Sequence, residues 1–280
     1  LVNPENVVTI IDNSRDFLIQ AEVFKKKKIN FIAIQNAHRY GINPFQKKLK
    51  YLTKYYTIGN FEKKIFHKDL SKRKIFPIGS LRSLSALQYF KNRKKIKRKY
   101  DICLISEPDF DLNTGDLIEE NIDKKVTLLA KHCLKFAKKF KKKIIICGKH
   151  DLNDNFSKAE KKFYEHNLNI KNFKITFNKK SKFGSYKNMS QSDIVVGVSS
   201  TLMREAVYFN KKVLWCKFLE TALFPFKNHM RHKNKSYKSF EIVLKKLISM
   251  SHKTYFKKIN KNDIINTDMK NFDNLKKYLS

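Results

Sequence analysis

Short β-branched runs alternate along this chain with stretches whose apolar residues recur at helical spacing. Val7-Val8-Thr9-Ile10-Ile11 has the unbroken apolar character of a buried strand. Asp12-Asn13-Ser14 then carries helix-capping chemistry, and Phe17, Leu18, Ala21 and Phe24 follow on one helical face. Further strands are predicted at 29–35, 55–58 and 75–78, the last short or at an edge because Pro77 removes a donor. Lys91 to Tyr100 is almost entirely basic and reads as a linker or a solvated helix end. The pattern then restarts, with strands at 102–106, 143–147, 175–177, 194–198 and 213–216. Helices are predicted between them at 126–140, 157–164 and 202–209. Five strands separated by crossovers imply a parallel, doubly wound sheet. Beyond it, Phe240, Val243, Leu244, Leu247 and Ile248 form a helical stripe, with weaker helices near Tyr255 and over 272–279.

These patterns predict an α/β protein of two Rossmann-like domains with C-terminal helices. The expected boundaries are 1–92, 101–235 and a helical tail at 236–280. Only about four strands fall in the first segment, and the chain begins with Leu rather than Met. The first domain is therefore expected to lack an opening strand–helix unit.

Composition changes this picture little. Of 280 residues, 41% are hydrophobic and 13% aromatic, which is enough to build cores despite the charge. No apolar run approaches the roughly 20 residues of a membrane span. The N-terminal residues lack the basic and apolar regions of a signal peptide, so a cytoplasmic location is the default expectation. The four cysteines lie in strand-like or helical runs without CxxC spacing and read as free, buried thiols. The net charge of +36 invites a nucleic-acid reading. Yet only eight of the 61 basic residues are Arg, the residue suited to bidentate recognition of bases and phosphates. Abundant Lys, Asn, Ile and Phe with few Gly and Pro is the usage an AT-rich genome favours. Much of the charge then lies on solvated surface. Attraction to an anionic membrane face or substrate is a further reading, ahead of dedicated nucleic-acid binding.

The most informative stretch runs from Ser192 to Ala206. A buried strand ends in Gly197-Val198-Ser199-Ser200-Thr201, and a helix starts at Leu202. A helix start offers unpaired N–H groups and partial positive charge. Ser199, Ser200 and Thr201 add hydroxyls, and Gly197 permits close backbone approach. Such a turn, at the carboxyl end of a parallel strand, suits a phosphate or diphosphate. Glu205, one turn on, is suited to ribose hydroxyls. The alternative is that the hydroxyls merely cap the helix and Glu205 completes the cap.

From Asp193 to Cys216 the chain resembles the donor-binding segment of GT-B glycosyltransferases. It is most similar to bacterial surface-carbohydrate and capsule transferases with a "VG.SST...EA....K.V" pattern. Non-hydrolysing nucleotide-sugar 2-epimerases share the architecture. The resemblance implies diphosphate binding by Ser199, Ser200 and Thr201 and ribose binding by Glu205. It extends weakly over residues 7–41, Gly79-Ser80-Leu81-Arg82 and 240–255.

Three loops complete the candidate set. His38 and Arg39 follow the second predicted strand, which in a GT-B arrangement faces the cleft. His38 is a candidate general base and Arg39 a candidate stabiliser of the leaving diphosphate. Related transferases carry Gln-His-Gly or Gln-Asn-Gly here, whereas this chain reads Gln35-Asn36-Ala37 with His two places later. A surface-loop His without catalytic role is the competing reading. Lys149 is placed to meet a phosphate as a point charge. Glu107 and Asp109 are read as a candidate base or as turn formers beside Pro108. Asp109-Phe110-Asp111 has the letters of a metal motif but sits in a loop unsuited to the GT-B scheme. His150-Asp151 lacks metal-site spacing. No metal and no cofactor besides the nucleotide-activated donor are expected.

The function these readings imply is a GT-B-like transferase of surface-polysaccharide assembly. It would move a sugar or polyol phosphate from a nucleotide-activated donor to a glycan or lipid-linked acceptor, with peripheral contact to an anionic inner membrane. A nucleotide-sugar 2-epimerase and a non-enzymatic nucleic-acid binder are the alternatives, the latter disfavoured by the absence of Arg-rich stacking motifs.

Overall fold

Every β-branched run named above becomes a strand in one of two all-parallel sheets. The computed structural model describes residues 4–12, 14–39, 49–66, 70–91, 97–108, 120–152, 154–168, 173–178, 183–219, 223–268 and 270–276. The chain divides into two units. The first comprises Leu1–Gln88, Leu223–Pro225 and Asn260–Ser280; the second comprises Tyr89–Ala222 and Phe226–Ile259.

In the first unit, β1 (Asn6–Thr9), β2 (Asn30–Ile34), β3 (Lys54–Thr57) and β4 (Ile75–Pro77) lie in sequential order. β4 is an edge strand, as Pro77 requires. β1 stops two residues short of the predicted end, because the Thr9 hydroxyl accepts from the Ile11 amide at 3.0 Å and turns the chain. α1 (Arg15–Lys26) starts at Ser14, whose Oγ accepts from the Phe17 amide at 3.0 Å. It buries Phe17 and Ala21 against Phe31, Ala33 and Tyr55 on one face of the sheet. The alternate residues Ile32, Ile34 and Tyr56 fill the other face with Ile78 and Leu275. Both faces of the strands are thus covered, which is why their sequences are continuously apolar.

α2 (Phe61–Ile65) and α3 (Leu81–Lys91) follow β3 and β4. Gly79, before α3, has φ of +86°, and a Cβ there would lie 2.6 Å from the Asn266 carbonyl oxygen. Only glycine fits both conditions. Ser80 then caps α3, accepting from the Ser83 amide at 3.2 Å.

In the second unit, β5 (Tyr100–Ile105) is followed by α4 (Glu120–Lys139), β6 (Ile144–Asp151), α5 (Asn155–Leu168), β7 (Ile175–Asn178), α6 (Gly184–Ser190) and β8 (Ser192–Gly197). Then come α7 (Leu202–Tyr208), β9 (Lys212–Cys216), β10 (Arg231–His232), α8 (Tyr237–Ser249) and α9 (His252–Phe256). The strand order is β10-β9-β8-β5-β6-β7. The chain winds outward from β5 in one direction, returns to its other side at β8, and winds outward again. That reversal creates a switch point between β5 and β8, where open α/β sheets bind ligands at the carboxyl ends of strands. The two-residue β10 and the helix α6 are additions to the predicted elements.

The segment predicted as a separate tail is not one. α8 and α9 belong to the second unit, whereas the helices at Lys261–Ile264 and Lys270–Lys276 group with the first. Asn266 explains the return: its amide donates to the Ile58 carbonyl at 2.7 Å and its Nδ2 to the Pro77 carbonyl at 3.0 Å. The tail thereby ties down the ends of β3 and β4.

Candidate functional site

The turn after β8 sits at the switch point of the second sheet, beside the end of β5. There it meets Glu107. The Glu107 carboxylate accepts from the Val198 amide at 2.8 Å, the Ser199 amide at 2.7 Å and the Ser199 hydroxyl, with the Ser200 amide also bonding to it. Burial pushes the Glu107 carboxyl above its ordinary pKa, against the lowering effect of those donors. A carboxylate with several converging backbone donors is the intramolecular counterpart of an anion in a nest.

This corrects the expected role of the inner turn. The backbone donors of residues 198–200 are directed at an internal acid. Gly197 serves the same contact: a Cβ there would stand 3.0 Å from Glu107 Oε1 and 2.9 Å from Met203 Sδ. Ser199 is buried. Ser200 and Thr201 are half-buried and form the solvent-facing rim of the turn. Ser200 Oγ accepts from the Leu202 amide at 3.2 Å, so the capping alternative holds for Ser200. Thr201 makes no side-chain capping bond. Glu205, on the first turn of α7, is 5% exposed.

A second buried acid stands beside the first. Glu160 of α5 is fully buried and accepts from the Ser106 hydroxyl and from the Lys149 amide at 3.1 and 3.2 Å. Tyr164 donates to Ser106 at 2.8 Å. Burial raises the Glu160 pKa and holds the Tyr164 phenol well above its usual value. This network fixes the ends of β5 and β6 against α5. Lys149 contributes its backbone amide to it, and the residue is exposed. Asp109 and Asp111 lie outside the described residues. Among the described residues, no group of three or more His, Cys, Asp and Glu side chains is placed to hold a metal ion. All four cysteines are buried free thiols.

The loop after β2 in the first unit is held as firmly. Gln35 accepts from the Ile58 amide at 2.9 Å and donates to Glu62 at 3.2 Å, and Glu62 accepts from the Gly59 amide at 3.1 Å. His38 is 3% exposed, which excludes the surface-loop reading. Its ring stacks on Phe224 with centroids 3.8 Å apart, and Nε2 lies 2.6 Å from the Leu223 carbonyl. A carbonyl only accepts, so Nε2 carries the proton and holds the 223–225 segment. Arg39 pairs with Asp12, its Nε donating at 3.2 Å and its Nη2 bonding the other carboxylate oxygen and Asn36. Tyr55 donates to the same Asp12 at 2.6 Å. Burial nevertheless raises the Asp12 pKa, and burial together with Asp12 holds the Tyr55 phenol well above its usual value. His38 and Arg39 are thus set in packed structure, and sequence reasoning missed their partners Asp12, Tyr55 and Leu223.

Solved structures with a similar architecture include two UDP-GlcNAc 2-epimerases. A Methanocaldococcus jannaschii UDP-GlcNAc 2-epimerase in complex with UDP-GlcNAc and UDP aligns with a TM-score of 0.60 at 13% identity, covering 98% of this chain and 76% of the other. A Neisseria meningitidis UDP-GlcNAc 2-epimerase bound to UDP-GlcNAc gives 0.58 at 17% identity, covering 99% and 76%. The fold is GT-B-like. An Anabaena protein in complex with UDP and glucose shares the GT-B-like fold at a TM-score of 0.53 and 10% identity, covering 98% and 77%. No protein-family model matches the chain, and no curated protein matches it by sequence. Among the described residues, no helix of this GT-B-like chain is long and apolar enough to cross a membrane.

Proposed function

We propose that this protein is an enzyme acting on nucleotide-activated sugars, with the nucleotide held by the second unit. The observation that carries this reading is the strand order around β5 and β8. It sets a hydroxyl-bearing turn at the switch point of a Rossmann-like sheet. The rim residues Ser200 and Thr201 are the diphosphate contacts, with Lys149 as a point charge at the end of β6. Glu205 takes the ribose. The reaction favoured is transfer of a sugar or polyol phosphate to a glycan or lipid-linked acceptor in surface-polysaccharide assembly. The acceptor hydroxyl attacks the activated centre, and the nucleoside phosphate leaves toward Ser200 and Thr201 without a metal. The first unit takes the acceptor. There Arg39 supplies positive charge, and His38, whose Nε2 is engaged, has only Nδ1 to accept a proton.

The second reading, a 2-epimerase, draws support from the architecture shared with the two epimerases and from the paired buried acids Glu107 and Glu160. Incubation with UDP-sugars separates the two. Transfer predicts turnover only when a glycan acceptor is added. Epimerised nucleotide sugar formed without acceptor establishes the second reading, and absence of both products across a donor panel overturns the proposal.

A further inference from the structure

One face of the second unit is built from three helices side by side, with α4 packed between α5 and α8. The inward residues of α4, among them Val126, Leu129, Cys133 and Phe136, are buried against the sheet. The outward residues form a stripe of one chemistry. Lys124, Lys131, Lys135 and Lys138 follow each other at helical spacing and are all exposed, with Lys139 beside them. Lys158, Lys161 and Lys162 extend the stripe on α5, and Lys238, Lys245 and Lys246 extend it on α8. Two acids on these outward surfaces are already spoken for: Glu241 binds Lys139 at 2.7 Å and Glu165 lies 3.7 Å from Lys161. The layer therefore keeps a large positive excess.

Two further features sit within this charge. Ile242, in the middle of α8 and flanked by Lys238, Lys245 and Lys246, is 61% exposed, a large aliphatic side chain presented to water. Between α4 and α5 lies a cavity of about 590 Å³ whose walls carry the lysines Lys124 and Lys131 and the buried acid Asp123, with Thr127, Asn167, Leu128 and Phe163. Its two lysines outnumber its one carboxylate, and they stand beside hydrogen-bonding groups and an apolar wall.

We infer that the α5–α4–α8 face docks on an anionic phospholipid surface. The charge is complementary, since lysines near an anionic bilayer are attracted to its surface potential. Ile242 reaches past the lysine stems toward the acyl boundary. A fluid headgroup layer asks for diffuse charge. The sequences of α4, α5 and α8 contain no Arg, the residue that forks onto nucleic-acid phosphates and bases. The inference is independent of the nucleotide reading, since none of these residues belongs to the β5–β8 site. It deepens the expected membrane contact by assigning it to one face.

The test is co-sedimentation of the full chain with vesicles of phosphatidylglycerol and phosphatidylcholine, against pure phosphatidylcholine, at 0.1 M salt. The parent protein is expected to bind the anionic vesicles alone and to release them at 0.5 M salt. The triple variant Lys131→Glu, Lys135→Glu, Lys138→Glu is expected to bind at least 100-fold more weakly. The neutral triple variant Lys131→Gln, Lys135→Gln, Lys138→Gln serves as the check on folding and is expected to lose binding to a lesser degree. Ile242→Ser is expected to weaken binding several-fold. A control reversal of Lys25, Lys26 and Lys27, on the first unit, is expected to leave binding within twofold. Equal binding by the parent and both triple variants overturns the inference. So does binding of duplex DNA more tightly than anionic vesicles at the same salt.

Discussion

Replacing Glu107 with alanine is expected to lower the stability of the second unit by about 3 kcal/mol and to open a further anion position where the carboxylate now sits, inside the rim formed by Ser200 and Thr201. The carboxylate is the shared partner of the Val198, Ser199 and Ser200 amides and of the Ser199 hydroxyl. A buried donor left unpaired costs about 1–3 kcal/mol. The emptied nest then accepts a small oxyanion. Thermal unfolding in a sulfate titration should show a larger saturable gain for Glu107→Ala than for the parent. Equal sulfate responses would show that the carboxylate does not fill the nest. The pH dependence has a defined sign. Because burial raises its pKa, the folded chain keeps the Glu107 proton to higher pH than the unfolded chain does. The contribution of this group to stability falls as pH rises from the ordinary carboxylate value to the raised one and is constant above it. Glu107→Gln should remove that share of the slope.

The second large effect is expected at Lys212. Its ammonium is buried beneath the second sheet, 2.9 Å from the equally buried Asp193. It also donates to the carbonyls of Leu247 at 2.8 Å, Ile248 at 3.1 Å and Met250 at 3.0 Å. The lysine thus neutralises Asp193 and closes the C-terminal end of α8, where carbonyls lack helical partners. Lys212→Met should cost about 3 kcal/mol, because it removes the nearest cation from a buried carboxylate, leaving Arg98 at 3.6 Å and His252 at 3.7 Å, and strands three acceptors. Pairing it with Asp193→Asn should restore part of the loss, since the buried charge that lost its nearest partner is then gone. Denaturant unfolding of the two single variants and the double variant measures this coupling. Strict additivity would deny the pair its role.

The parallel sheets were legible because strands covered on both faces carry unbroken apolar runs, as Ile102 to Ile105 and Ile194 to Val198 do. The helix start at Ser14 was marked by its hydroxyl cap, whereas α2 and α3 were not predicted. What escaped notice had no local signature. α6 spans Gly184–Ser190, where small and polar residues break the apolar period and Tyr186, Met189 and the polar Ser190 are the buried positions. β10 is two residues long. The return of the tail to the first unit rests on Asn266, a single amide among polar neighbours. In the candidate site, the position of the 197–201 turn was readable from strand, glycine and hydroxyls together. Its occupant was not. Glu107 looks like a turn acid beside Pro108, and its partner Ser199 lies 92 residues away. His38 is similar: its burial depends on Phe224, 186 positions further along the chain, so an exposed loop was a reasonable local reading.

The account turns on whether the rim of that turn holds a nucleotide. Calorimetric titration of UDP into the parent protein and into Glu205→Ala addresses this directly, with circular dichroism confirming that both are folded. Saturable one-site binding by the parent, weakened at least tenfold in the variant, is the result the account predicts. A folded parent that takes up no nucleotide, or a variant that binds as tightly as the parent, would contradict it.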